Sequence, residues 1–320
     1  MSMVQLYFLN LVQQEKLCEK SGESTIIRLP EGGTVLVDCG VPEAGPAIVR
    51  RLQSLGVKKL DALLLSHFHL DHIGGAPAVL DAFDVDRVYS YPVDWFSDYM
   101  TKALPAYVAA LEKHHLVPQP LFDGMSFSLE GVRFDILSPP RDFPHAFSDY
   151  QKWMLEKYGQ EVYPYDSAAV TVPMANDSSI CFKMSYGTST YLSCGDLYYS
   201  GERMVLDRHK DDLHALVTKA NHHGNMTSSI PEWVDAVGAK IVVGMKDGLP
   251  DDLVKKKDPE KAEFWKNHVS GWPYERWPEH GADYYFTYWN GEVRVEMDDQ
   301  GHATAYPQRG TKNMRPSSIG

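Results

Sequence analysis

The sequence predicts an α/β protein in which two β-sheets pack face to face between outer layers of helices, a four-layer αββα sandwich. Three observations predict it. The first third of the chain alternates strand-like and helix-like segments, and the second half repeats that alternation. The apolar run Ala62-Leu63-Leu64-Leu65 gives way at once to a polar cluster, as a buried strand does where it leaves a sheet.

The elements follow in order. Residues 4–12 are apolar and aromatic, with strand character, and 24–29 form a second strand. Pro30-Glu31-Gly32-Gly33 is a turn, and 34–37 is a third strand ending in Asp38-Cys39-Gly40. A helix over 42–55 is stopped by Gly56; 61–65 is a buried strand; a helix over 75–83 and a strand over 88–91 follow. Residues 93–118 hold a helix-like portion and a proline-rich exit, and 125–137 a hairpin turning at Glu130-Gly131. Residues 139–165 read as an insertion dense in aromatics: Phe143, Phe147, Tyr150, Trp153, Tyr158, Tyr163 and Tyr165. Packing over the core edges is the expected use of those rings, ahead of a substrate lid. In the second half, 178–186 and 190–193 form a hairpin around Gly187, capped by Gly195-Asp196. A helix over 201–208, a strand over 215–219, a helix over 230–237 and a strand over 240–243 come next. After the charged stretch Lys255-Lys256-Lys257-Asp258, residues 282–288 and 293–297 read as a last hairpin around Asn290-Gly291. Residues 1–305 are expected to form a single domain and 306–320 a loose polar tail.

The 320 residues suffice for a large core, and 43% apolar with 23% charged residues is ordinary for a soluble globular protein. No apolar run approaches the roughly 20 residues a bilayer span needs, and the strand-like N-terminus lacks the pattern of a signal peptide. Cys18, Cys39, Cys181 and Cys194 form no Cys-x-x-Cys pair, which points to reduced thiols in a cytoplasmic protein and not to a disulfide framework. The net charge of −12, from 31 basic and 43 acidic residues, argues against a long nucleic acid as partner. A small anionic substrate stays compatible with it if bound divalent cations offset the charge locally. Oligomeric state is not legible.

The chemistry concentrates in His67-Phe68-His69-Leu70-Asp71-His72, which runs into Ile73-Gly74-Gly75. Imidazole and carboxylate are the ligands of zinc, manganese and iron where thiolate is absent. Residues two apart in an extended segment point the same way, so His67 and His69 can grip one cation. A turn then lets Asp71 and His72 face a second, and two cations can clamp the attacking and leaving oxygens of a hydrolytic displacement. Asp196, closing a strand beside Gly195, can bridge the two. In Lys219-Ala220-Asn221-His222-His223-Gly224-Asn225 the adjacent histidines diverge if the backbone is extended. One is then a ligand and the other faces substrate or a carboxylate behind the ligands; His222 is narrowly favoured as the ligand.

Together these segments resemble the metallo-β-lactamase superfamily, and within it the hydrolase domain of competence-type DNA-uptake proteins and their soluble stand-alone relatives. The resemblance rests on Gly22-Glu23-Ser24, Asp38-Cys39-Gly40, His67 to Gly75, Ser178-Ser179 leading to Gly195-Asp196, Gly201-Glu202 and His222-His223-Gly224. It implies an αββα sandwich of the metallo-β-lactamase type and two divalent ions, zinc first, with manganese or iron as alternatives. His67, His69 and Asp196 would hold one ion; Asp71, His72, Asp196 and His222 or His223 the other. Asp71 would also orient the metal-activated water, and His223 or Lys219 would bind the anionic substrate or protonate the leaving group. The expected reaction is metal-dependent hydrolysis, first of a phosphodiester or related small anion. Amide or ester hydrolysis comes second, and a di-iron redox protein is a third class, which the lack of a flavin domain disfavours. Many members carry a further ligand histidine before the bridging aspartate. Here only His114, His115 and His145 could serve, none in a glycine-rich setting, so one ion is expected to be held more loosely. No channel portion is present, so DNA uptake itself is not expected.

Overall fold

The computed structural model describes residues 2–11, 22–92, 103–159, 172–245 and 272–314. Cys18, residues 93–102, Tyr163, Tyr165, the 255–258 charges and residues 315–320 lie outside the described residues.

Along the first part of the chain run β1 (Val4–Phe8), β2 (Thr25–Arg28), β3 (Thr34–Val37), α1 (Gly45–Ser54), β4 (Lys59–Leu60) and β5 (Ala62–Leu64). Then come α2 (Leu70–Ile73), α3 (Ala76–Ala82), β6 (Asp84–Val85), β7 (Val88–Tyr89), α4 (Leu104–Lys113), β8 (Ser126–Leu129) and β9 (Val132–Ser138). The second part holds α5 (Phe147–Tyr158), α6 (Val172–Asp177), β10 (Cys181–Tyr186), β11 (Ser189–Ser193), α7 (Tyr199–His209), β12 (Val217–Lys219), α8 (Pro231–Val237) and β13 (Ile241–Gly244). It closes with α9 (Pro273–Glu279), β14 (Asp283–Phe286), α10 (Thr287–Asn290), β15 (Val293–Met297) and β16 (Ala303–Pro307).

The strands form two seven-stranded sheets, ordered β16-β15-β1-β2-β3-β5-β7 and β14-β13-β12-β11-β10-β9-β8, beside a small β4-β6 pair. Strand alternation divides the apolar residues among three cores. Ile27, Val35, Val37 and Leu64 point inward and meet Phe134, Phe182, Tyr191 and Val243 of the opposite sheet. Their neighbours Ile26, Leu36 and Leu63 point outward and pack under Ile48, Leu52, Val79 and Tyr107 of α1, α3 and α4. On the second sheet Leu192, Val242 and Tyr284 pack under Val205, Trp233 and Trp277 of α7, α8 and α9. The result is the expected order of helix, sheet, sheet and helix. Among the described residues no helix is long and apolar enough to cross a membrane.

Several expectations are corrected. Residues 282–297 are not a hairpin: β14 runs parallel to β13 in the second sheet, while β15 is antiparallel to β1 in the first. The Asn290 side chain accepts the Phe286 N–H and donates to the carbonyls of Arg309 and Thr311, closing a helical turn where Asn-Gly suggested a tight hairpin turn. The tail is not loose from 306, because β16 extends to Pro307 and the Asn313 N–H then binds the Tyr284 carbonyl. Cys181 and Cys194 form a disulfide, not a pair of reduced thiols; Phe182 is in register with Ser193, so the flanking cysteines stand opposite each other. The aromatic stretch contains α5, and its buried rings Phe143 and Tyr150 pack with Trp153 into the first outer core.

Candidate metal centre

Four strand ends from both sheets supply the site. Asp38 follows β3, the histidine motif follows β5, Asp196 follows β11, and β12 ends at Lys219, leading to His223. The intervening loops are tied directly: the Glu23 N–H donates to the Asp71 carbonyl, the Cys39 N–H to the His72 carbonyl and the Ile180 N–H to the Ser66 carbonyl. Two glycines make the close approach feasible. A Cβ on Gly22 would lie 2.0 Å from the Asp71 carbonyl oxygen, and one on Gly195 would lie 2.7 Å from Ser179 Oγ.

His67 Nε2 lies 3.0 Å from His69 Nδ1, so the first two histidines do face one point. Two ligands of one tetrahedral ion at metal–ligand distances near 2.1 Å stand about 3.4 Å apart, so this pair fits a shared cation. Directly after His69 the chain makes the single turn α2, which aims Asp71 and His72 at the next position. Asp38 fixes His72 from behind. Its carboxylate accepts the Ser66 N–H and O–H, each at 2.7 Å, and lies 2.8 Å from His72 Nδ1. A carboxylate only accepts, so Nδ1 carries the proton and Nε2 is left as an acceptor. That Nε2 lies 3.1 Å from Asp196 Oδ2.

His223 is arranged the same way. Its Nδ1 faces Glu23 Oε1 at 3.0 Å and the Met245 carbonyl at 3.1 Å, both acceptors. Its Nε2 lies 2.9 Å from Asp196 Oδ2 and 3.3 Å from Asp71 Oδ2. Two imidazole nitrogens and two carboxylates therefore converge as acceptors with no donor among them. The cluster of Glu23, His72, Asp196 and His223 brings four donor atoms within 4.8 Å of one another. Asp196 Oδ1 is buried and accepts no hydrogen bond among the described residues. Only a proton or a metal cation reconciles such a set, and this donor chemistry fits a metal.

Titration follows the geometry. Burial pulls His72 and His223 down, yet Asp196, joined by Asp38 for His72 and by Glu23 for His223, outweighs it and holds both well above the usual imidazole range. Burial, with His72 and His69 adding to it, lowers His67. Burial opposes ionisation of Asp71 and Asp196, but the neighbouring imidazoles keep both well below the usual carboxylate range.

Two expected roles change. Among the described residues His222 makes no hydrogen bond or ion pair with Asp196; its Nδ1 binds Thr227 Oγ1 and its ring lies 4.5 Å from that of Tyr198. The histidine brought to the carboxylates is His223, because both residues adopt left-handed backbone (φ 43° and 60°) and the alternation of an extended segment does not apply. Lys219 has its ammonium taken up by protein groups and not left open for an anion. It is buried, and its ammonium is engaged by Glu23 Oε2 at 2.7 Å, the Gly195 carbonyl at 2.7 Å and the Ala220 carbonyl at 3.1 Å. Its further partner is Asp196 Oδ1 at 3.6 Å. Glu23 and Asp38 were legible only as members of short patterns; an acid within two residues of a glycine, next to a strand, was the signal for each. His114 sits on the outer surface of the helical layer against Asp81, at 2.6 Å.

A family model described as the metallo-beta-lactamase superfamily matches residues 20–243. The chain is 24% identical over 192 residues to ComE operon protein 3 of Bacillus subtilis (strain 168), a match covering 60% of this chain and 20% of that protein. It is 34% identical over 110 residues to the hydroxyacylglutathione hydrolase of Aeromonas salmonicida (strain A449), covering 34% and 35%. The chain thus spans about a fifth of the first relative's length and a third of the second's. Among solved structures, the metallo-beta-lactamase fold protein YhfI from Bacillus subtilis aligns with a TM-score of 0.48 at 11% identity, covering 96% of this chain and all of that one.

Proposed function

We propose, because the chain belongs to the metallo-β-lactamase superfamily, that its buried His–Asp cluster is the dinuclear centre of a hydrolase acting on a phosphodiester or related small anionic substrate. The observation that carries this reading is Asp196 Oδ2, within 3.1 Å of His72 Nε2 and 2.9 Å of His223 Nε2, beside the paired His67 and His69. His67, His69 and Asp196 would hold one ion; Asp71, His72, Asp196 and His223 the other. Divalent ions in such a centre supply Lewis-acid charge and bring the pKa of a water toward neutrality. Zinc suits the nitrogen and oxygen donors, and manganese or iron are the alternatives.

The protein's own groups shape the rest. Asp71, partly exposed and 3.3 Å from His223 Nε2, would orient the attacking water as well as bind metal. Lys219 and Glu23 cancel each other, so two divalent ions outweigh the Asp38, Asp71 and Asp196 carboxylates and leave a positive field for an anionic substrate. One ion alone would leave the site negative, which makes the loosely held second ion the condition for turnover of an anion. The substrate-facing role expected of His223 passes to the partly exposed His222. The relative named for hydrolysis of hydroxyacylglutathione supports acyl hydrolysis as the second reading.

Elemental analysis joined to a screen of chromogenic phosphodiesters, phosphomonoesters, thioesters and β-lactams tests this reading. Two metal equivalents and fastest turnover of a phosphodiester are expected. His69→Ala should lose metal and turnover while keeping its circular dichroism, and unchanged turnover in that variant overturns the reading.

A further inference from the structure

We infer that Glu202 is a positioning residue for the metal centre: one buried carboxylate clamps both ends of the loop that carries His223. The inference rests on the reading of His223 as a ligand. Glu202 lies on α7 and is wholly buried. Its Oε1 accepts from Asn221 Nδ2 at 2.8 Å and from the Ser229 N–H at 2.6 Å, while Oε2 accepts the Ile230 N–H at 2.9 Å. All three bonds go to the loop, one just before the histidine pair and two at its far end.

That loop needs holding. His222, His223, Gly224 and Ser229 all have left-handed φ values, 43°, 60°, 75° and 60°, and three of the four carry a Cβ that disfavours them. Ser228 Oγ donates to the Asn221 carbonyl at 2.8 Å, but that bond is internal to the loop. Among the described residues Arg276 and Trp277 of α9 hold the far end, through the Ser229 carbonyl and hydroxyl. Among the described residues Glu202 is the side chain outside the loop that fastens residue 221 and residues 229–230 to one point. Both of its oxygens accept, so in Glu202→Gln the amide nitrogen meets an N–H in either orientation.

The test is Zn²⁺ affinity, measured by competition with a chromophoric chelator. Glu202→Gln should weaken one ion 10- to 100-fold and leave the other unchanged, the usual cost of losing support behind a ligand. In a His223→Ala background Glu202→Gln should add no further weakening, because its effect runs through that imidazole. Wild-type affinity in a folded Glu202→Gln protein overturns the inference, as does an equal added loss in the His223→Ala background. Should Glu202→Gln not fold, Asn221→Ala breaks the near-end bond without altering the buried acid. It should weaken the same ion severalfold, and wild-type affinity there is equally fatal. If His223→Ala itself keeps both ions at full affinity, the ligand reading falls and this inference with it; if only Glu202→Gln is silent, the clamp alone falls.

Discussion

His222 and His223 are neighbours with opposite surroundings, one against Thr227 and Tyr198, the other against Asp71 and Asp196. His223→Ala should therefore cut turnover a hundredfold or more, while His222→Ala should leave metal content intact; loss of metal in His222→Ala alone would reverse the assignment. Lys219→Met should leave Glu23 as an uncompensated buried acid and cost about 3–5 kcal/mol of stability, read from urea denaturation. An unchanged midpoint would show that the ammonium is not what neutralises Glu23. The six-residue histidine motif was legible because its geometry is local: an extended pair, then one helical turn. The choice within His222-His223 was not, since it depends on backbone held from a distant helix. Nor was the burial of Lys219, whose partner Glu23 lies in a loop of the other sheet.

At the scale of elements, Asp177 at the end of α6 joins three pieces of chain. It accepts hydrogen bonds from the Tyr150 hydroxyl of α5, from the Ser200 hydroxyl and from the Tyr198 N–H at the start of α7. Burial pushes its carboxyl up to about 6 even so. Tyr150→Phe removes one donor from a buried acid and should cost about 1–3 kcal/mol, measured by thermal or urea unfolding; a neutral result would mean α5 is not fastened through this bond. Most strands and helices could be read from period and turn chemistry, 34–37 among them. The failures came where partners are distant in sequence. Residues 282–297 look like a hairpin locally, yet their two strands answer to β13 and β1. Cys181 and Cys194 look unrelated until the β10–β11 register sets them opposite each other.

For the molecule as a whole, the site's charges set how stability responds to pH. His72 and His223 are held above the free imidazole value of 6.5, so the stability they contribute is full below that pH and is lost as pH rises through their folded values. Asp71 and Asp196 act on the acid side, their contribution present above the free carboxyl value near 3.8 and lost below it. Chelator-treated protein should thus melt at lower temperature at pH 8.5 than at pH 6, whereas the gain on adding Zn²⁺ should grow over that range because ligands must shed protons. A melting temperature of the treated protein that climbs with pH would contradict this account. The two sheets meet through contacts such as Phe8 against Tyr191, ring centres 5.9 Å apart, and the strand ends proposed to hold metal hang from both sides of that seam. On that reading the thickness of the apolar filling would act as a caliper on the ions. Trimming a ring at the seam, as in Phe8→Leu, should retune which metal the protein prefers without altering a single atom that grips it.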